Sequence, residues 1–244
     1  TLRIDGLPPL SGWTGHWAQA WLLRWIGQSA PEHAARLHDD KGRKPYTVSP
    51  IAQLESGSLI RVTTLDPMLT AILMNPPPFS YAGVAYAVSE SGRATSTFAE
   101  LLRLGETGTL PLLHFQTPTA FRSQGMEINL PLPELVFGSL IHAWDSFSPL
   151  RLPLQLREFA AQHVTLTRHS IHTRRVTFRH RGLETQRTGF VGRVQFGVKS
   201  NSDPVAIRFL AALLHFAPYA GVGAWTTAGM GQVGLPPQKD GWHA

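Results

Sequence analysis

Apolar positions in the first thirty residues repeat at helical spacing. Trp17, Ala18, Trp21, Leu22, Trp25 and Ile26 form one stripe, which predicts a helix over Trp13 to Gly27 closed by its glycine. Pro31 to Leu37 suits a second short helix, with proline in its first turn and Glu32 placed to favour the helix dipole. Ahead of them, Thr1 to Gly12 offers a short strand and a Pro/Gly loop. Behind them, Thr47 to Leu54 and Ser58 to Thr64 read as two strands about a Glu55-Ser56-Gly57 turn. Asp66 caps a helix stopped by Pro76, Pro77 and Pro78, Tyr81 to Ser89 reads as one strand, and Thr97 to Leu104 as a helix. A second run follows the Gly105 to Gly108 linker: a strand over Leu110 to Gln116, a helix over Leu135 to Trp144, and strands over Val164 to His172, Arg174 to Arg181 and Phe190 to Val198. A helix over Pro204 to Phe216 completes it. Each half is therefore β-α-β-β-α-β. The expectation is an α+β chain of two tandem ferredoxin-like domains, 1–107 and 108–244, with a truncated first strand in domain 1 and no sequence repeat between the halves.

Composition narrows the chemistry. The 244 residues, 43% of them hydrophobic, suffice for a buried core. The absence of cysteine excludes disulfides, thiolate metal sites and cysteine nucleophiles. No secretory leader or long apolar span is visible, so the cytoplasm is expected and a membrane is not. Charge is unevenly spread. Between residues 168 and 193 lie Arg168, Arg174, Arg175, Arg179, Arg181, Arg187 and Arg193 against Glu184 alone. Without them the chain keeps 15 of its 22 basic residues and 15 of its 16 acids, so the net charge of +6 resides in this segment. A localised basic strip on a neutral body suits a polyanion; a solvated strand face, or an edge strand blunted against pairing, is the alternative.

The other conspicuous stretch is Phe216 to Leu235, in which Gly221, Gly223, Gly229 and Gly231 are spaced G-x-G-x5-G-x-G after the last apolar helix. Such glycines permit positive φ and let backbone N–H groups approach a phosphate, or simply cap a helix and admit a strand. No G-K-[S/T] follows, and the glycines come after a helix, which excludes a Walker loop and a dinucleotide fingerprint. Together with Phe115-Gln-Thr-Pro-Thr-Ala-Phe-Arg122, Pro133-Glu-Leu-Val-Phe-Gly-Ser-Leu140 and Thr188-Gly-Phe-Val-Gly-Arg-Val194, in that order, the loop resembles the CRISPR-associated endoribonucleases of the Cas-six (RAMP) family. The C-terminal half carries most of the resemblance. It implies two tandem RRM-like domains, and CRISPR repeat RNA, as a stem-loop or a single strand, as the partner. It further implies hand-over of product to CRISPR interference-complex subunits, and it leaves a homodimer open. At Ala224 and Trp225 this loop departs from the basic residues expected there.

Cutting RNA without a metal needs a base for the ribose 2′-OH, an acid for the leaving 5′ oxygen and cations on the phosphate. Histidine suits the first two roles because its ordinary pKa, about 6.5, lies near neutrality. His38 ends a predicted helix beside Lys41, Arg43 and Lys44; a surface histidine at a helix C-terminus is the competing reading. The resemblance implies a catalytic histidine at this junction and a lysine where Lys44 stands. His16, in Gly15-His-Trp17 at the start of the first helix, is its expected counterpart, where the helix N-terminus favours a neutral ring; packing on Trp17 or Trp13 is the alternative. Tyr46 is a substitute acid or a loop anchor. His142, His163 and His215 read as structural, and His169, His172 and His180 as RNA contacts. No ligand spacing points to a metal, and no cofactor is expected. Arg174, Arg175, Arg179 and Arg181 straddle an expected hairpin, with Arg175, Arg179 and Arg181 on one face. With Arg43, Arg187, Arg193 and the four loop glycines they form the expected RNA-binding set.

The resulting expectation is a metal-independent endoribonuclease that binds CRISPR repeat RNA and cuts precursor transcripts by 2′-OH attack, leaving 2′,3′-cyclic phosphate and 5′-OH ends. The alternatives are a catalytically inactive RAMP-type subunit that caps or holds guide RNA, and a small-ligand ferredoxin-like protein.

Overall fold

The computed structural model describes residues 1–55, 57–180, 183–200 and 202–236; the side chains of His38, Arg179, His180 and Leu183 are not described. The chain divides into two compact units: Thr1–Thr95 with Val176–Arg187 and Trp225–Met230, and Ser96–Arg175 with Thr188–Ala224 and Gly231–Ala244.

The first unit runs β1 (Leu2–Ile4), α1 (Gly15–Ser29), α2 (Pro31–Asp39), β2 (Tyr46–Val48), β3 (Ala52–Leu54), β4 (Gly57–Ile60), β5 (Val62–Thr64), α3 (Pro67–Ile72), β6 (Phe79–Tyr81), β7 (Val84–Tyr86) and β8 (Val88–Glu90). Its main sheet has the order β3-β4-β1-β8, with β1 hydrogen-bonded antiparallel to both β4 and β8. Helix α1 forms because Ala18, Trp21, Leu22, Trp25 and Ile26, three and four apart, are buried together. They join Ile4, Ile60, Leu69 and Phe79 in one core. Two expectations need correction here. The strands expected at 47–54 and 58–64 are each split, β2 pairing with β5 and β3 with β4. The break falls at Ser49-Pro50, where the Ser49 hydroxyl accepts the Arg61 N–H at 2.8 Å in place of a ladder partner. The single strand expected over Tyr81 to Ser89 is instead the β6–β7 hairpin followed by β8, because Ala82 and Gly83 adopt φ 49° and 80° and turn the chain.

The second unit holds α4 (Phe98–Gly105), β9 (Leu113–Thr119), β10 (Phe121–Ser123), β11 (Met126–Ile128), α5 (Pro133–Phe147), α6 (Leu156–His163), most of the long strands β12 (Val164–His180) and β13 (Leu183–Val198), α7 (Pro204–Ala220) and β14 (Val233–Gly234); the ends of β12 and β13 within Val176–Arg187, and a 3-10 turn (Thr226–Ala228), cluster with the first unit. Its sheet has the order β12-β13-β9-β14. Numbered within each β-α-β-β-α-β run, both sheets read second-third-first-fourth, so both units are ferredoxin-like. Phe115 meets Phe190 at 4.7 Å, Phe137 meets Phe196 at 5.3 Å and Trp144 meets Phe216 at 5.3 Å, filling the space between sheet and helices.

Four differences from expectation concern this unit. The strands expected at 164–172 and 174–181 are one continuous β12, since His172-Thr-Arg174 contains no turn residue and β-branched Thr173 favours extension. The β10–β11 hairpin, turning at Gln124 and Gly125 with φ 51° and 77°, and helix α6 were not anticipated. Helix α7 passes Phe216 and Pro218 and ends at Ala220, where Gly221 at φ 65° donates its N–H to the Ala217 carbonyl at 3.0 Å.

Candidate functional site

The middle of the glycine-rich loop is seated on the N-terminus of α1, both within the first unit. Trp13 donates its indole N–H to the Ala228 carbonyl at 2.9 Å, a buried bond. Gly15 opens α1 at this point, where an added Cβ would lie 2.1 Å from the same carbonyl oxygen. Gly229, at φ 95°, lies against the Gly15 Cα, the Trp13 ring and Pro50. Thr14 receives the Ile51 N–H on its hydroxyl at 2.8 Å, which ties the loop after β2 to the same helix end. The Gln19 amide donates to the Thr227 hydroxyl at 3.3 Å and is also bonded to Tyr46. Burial pushes the Tyr46 phenol up to about 12, so at neutral pH it anchors the loop and is a poor proton donor. His16 lies in the first turn of α1, half-buried, its ring edge-on to Trp17 at 5.1 Å between centroids. That is the packing arrangement set out as its alternative role.

His38 is the penultimate residue of α2, in the last turn of the helix; its side chain lies outside the described residues. Lys44 returns to this turn and donates to the Leu37 carbonyl at 2.5 Å and to the Asp40 carbonyl. The lysine thus holds the two carbonyls that flank His38 and Asp39, which a helix C-terminus otherwise leaves without partners. Asp40 accepts the Gly42 N–H at 2.7 Å, shaping the connecting loop. Burial lowers the half-buried Arg43 to about 10, which leaves it a cation at neutral pH. Helix α1 packs against α2, β2 and the 3-10 turn, so the His38 turn, the His16 turn and the loop centre share one unit.

In the second unit the loop's outer glycines serve packing. The N–H groups of Gly223 and Gly231 go to the Ser139 hydroxyl at 2.9 Å and the Pro118 carbonyl at 3.0 Å. Those of Val222 and Ala224 go to Gly231 and Ala120. With Gly221 bound to Ala217, these donors close the loop upon the protein, where the sequence suggested a cradle of N–H groups for a phosphate. Arg193 lies in β13 opposite His114 of β9, which burial and then the Arg193 charge hold below the ordinary histidine range. Arg168, Arg174 and Arg175 are exposed along β12; Arg181 and the Arg179 side chain lie outside the described residues. Arg187 of β13 is in the first unit with Trp225, its guanidinium carbon 4.9 Å from the indole centroid. Neither that pairing nor the anchoring role of Gln19 has a signature in the sequence. For Trp13 the available signal was an indole N–H between the two glycines of Ser11-Gly-Trp-Thr-Gly15, because buried indoles seek an acceptor.

No group of three or more His, Asp or Glu among the described residues could hold a metal ion, and no described helix is long and apolar enough to cross a membrane.

Comparison with known proteins gives a consistent result. Residues 113–233 match the family model described as CRISPR-associated endoribonuclease Cas6. A Streptococcus thermophilus protein described as CRISPR-associated endoribonuclease Cas6 is 27% identical over 143 residues, 58% of this chain; the match spans only 56% of that relative's length. Among solved structures, a Cas6 product complex superimposes with a TM-score of 0.77 at 26% identity, covering 95% of this chain and 97% of that one. A second Cas6 product complex gives 0.75 at 27% identity, covering 97% of each chain. A Thermus thermophilus Cas6 gives 0.72 at 25% identity, covering 95% of this chain and 94% of that one.

Proposed function

Because this chain belongs to the CRISPR-associated endoribonuclease Cas6 family, we propose that it binds CRISPR repeat RNA and cuts precursor transcripts within the repeat. The named product and substrate-mimic complexes of its structural relatives support RNA as the ligand. In this reading the N-terminal domain, residues 1–107, carries the chemistry and the C-terminal domain, 108–244, carries the basic hairpin and the glycine-rich loop. The ribose 2′-OH attacks the adjacent phosphorus and the 5′ oxygen leaves, giving a 2′,3′-cyclic phosphate and a 5′-OH. His38 exchanges one of the two protons, His16 the other, and Lys44 with Arg43 offsets charge on the phosphate. The product stays bound and passes to CRISPR interference subunits.

The observation that carries this reading is the Lys44 ammonium fixed on the carbonyls of Leu37 and Asp40. A cation is thereby held at the turn that bears His38, where general acid–base chemistry on a phosphodiester needs one.

The test is to incubate repeat RNA with the protein in EDTA and to analyse the product ends. Cleavage is expected with the wild type, lost by on the order of 10²-fold or more in His38→Ala, and absent on RNA with a 2′-deoxy at the cut site. Tight binding without cleavage by the wild type would instead identify a silent guide-holding subunit, and absence of salt-sensitive RNA affinity would end both readings.

A further inference from the structure

Between Arg208 and Lys239 the chain has no lysine or arginine, so the glycine-rich loop contributes no cation of its own. The structure brings one to it from β13. Arg187 lies over the Trp225 ring at 4.9 Å, and both residues belong to the first unit. Trp225 is held at φ 57° and ψ 30°, a left-handed state that a bulky side chain rarely adopts and that Gly223 and Gly229, at φ 82° and 95°, adopt freely. Local backbone preference therefore argues for a further glycine at this position, and the tryptophan stands against it. Its carbonyl accepts the N–H groups of Ala228 at 2.9 Å and Met230 at 3.2 Å, which any residue in that conformation would do. The side chain adds the indole face over which Arg187 lies.

We propose that Arg187, seated on Trp225, is the phosphate-binding cation of the glycine-rich loop, with Trp225 as its positioning residue. The proposal rests on the RNA-binding reading above and adds to it a contact assembled from two segments that neither segment shows alone. A guanidinium lying on an aromatic face is attracted by the ring quadrupole through its own face, while its N–H donors lie in the plane from which a phosphate takes a two-pronged bond; in that plane Arg187 already donates from Nη1 to the Gln186 carbonyl at 3.2 Å, which helps to orient it. Half-burial of both residues limits the orientations open to the arginine before RNA arrives, so less rotamer freedom is lost on binding.

The test separates the ring from the backbone it distorts. Trp225→Gly removes the platform and relieves the left-handed strain, so thermal stability should be equal or higher while affinity for repeat RNA falls about 3–10-fold and the slope of log K against log salt becomes shallower by about one. Arg187→Ala should show the same loss, and the double variant no further loss, because both changes remove one contact. Trp225→Phe, which keeps an aromatic face, should retain most of the affinity. Wild-type affinity and slope in Arg187→Ala, or a full additive loss in the double variant, would overturn the proposal. Should Trp225→Gly fail to fold, Arg187→Lys decides: wild-type slope with weakened affinity supports the stacked guanidinium, and unchanged affinity refutes it. A wild type that shows no salt-sensitive RNA binding at all would remove the RNA reading itself, an outcome distinct from either.

Discussion

At Gly15 a single hydrogen in place of a methyl group determines whether two distant segments can meet. An alanine Cβ there would lie 2.1 Å from the Ala228 carbonyl oxygen and 2.7 Å from the Trp13 indole nitrogen, the two ends of one hydrogen bond. Neither neighbour is the far end of a flexible chain, so the clash is relieved only by moving backbone. Overpacking of this kind costs about 1–3 kcal/mol, and the lost buried indole bond lies within the same range. Gly15→Ala should therefore lower the melting temperature by roughly 2–12 °C, at about 2–4 °C per kcal/mol for a chain of this size. A thermal scan checks it; an unchanged midpoint would mean that the loop does not rest on α1. From sequence alone, Gly15 passed as a helix-start residue and the loop glycines as a phosphate cradle. Gly15 and Gly229 meet across some two hundred residues, Gly223 and Gly231 find Ser139 and Pro118 about one hundred away, and glycine spacing is silent on whether the close neighbour is a ligand or more protein.

Helix α2 shows how an element's end can be held by a residue beyond it. Its C-terminal carbonyls take their donor from Lys44, seven residues after Leu37, and this fixes the loop between them. The side chain is half-exposed, so screening reduces a charge-assisted bond to about 0.5–1.5 kcal/mol. Lys44→Ala should accordingly speed amide exchange at the end of α2, where Asp40 donates to Arg36, by roughly 3–10-fold, with the overall fold retained. A cleavage loss much larger than that in the same variant would locate a second role for Lys44 at the phosphate; equal losses would leave it a helix cap. Elements with local signals were legible: Asp66, Thr97 and Asp203 cap α3, α4 and α7 through bonds to Met68, Glu100 and Val205. The elements that escaped notice were settled by tertiary partners or by residues with weak turn preference. Ala82 and Gln124 take left-handed conformations ahead of a glycine, and β12 continues through Thr173 because β13 runs beside it.

For the molecule as a whole, the decisive property is that its net charge of +6 sits in one stretch of a long two-stranded ribbon while the remainder is neutral. Non-specific attraction through overall charge and specific contact through the ribbon make different claims about salt. Each phosphate contact releases counterions and steepens the fall of log K with log salt by about 0.7 for single strands and 0.9 for a duplex. Arg174 and Arg175 are adjacent and exposed on β12, so they point to opposite faces of the strand, and one RNA backbone lying along the ribbon can reach only one of them. One of the two single alanine variants should therefore flatten the slope by about 0.7–0.9, and the other should leave it unchanged. Arg103→Ala on α4 removes the same unit charge from the neutral remainder and should also leave it unchanged. Affinity measured at several salt concentrations for these three variants decides the matter. If all three flatten the slope equally, the protein attracts RNA by total charge; if none does, Arg174 and Arg175 lie on a solvated strand face, and the cations that meet the transcript are those beside His38 together with Arg187 on Trp225.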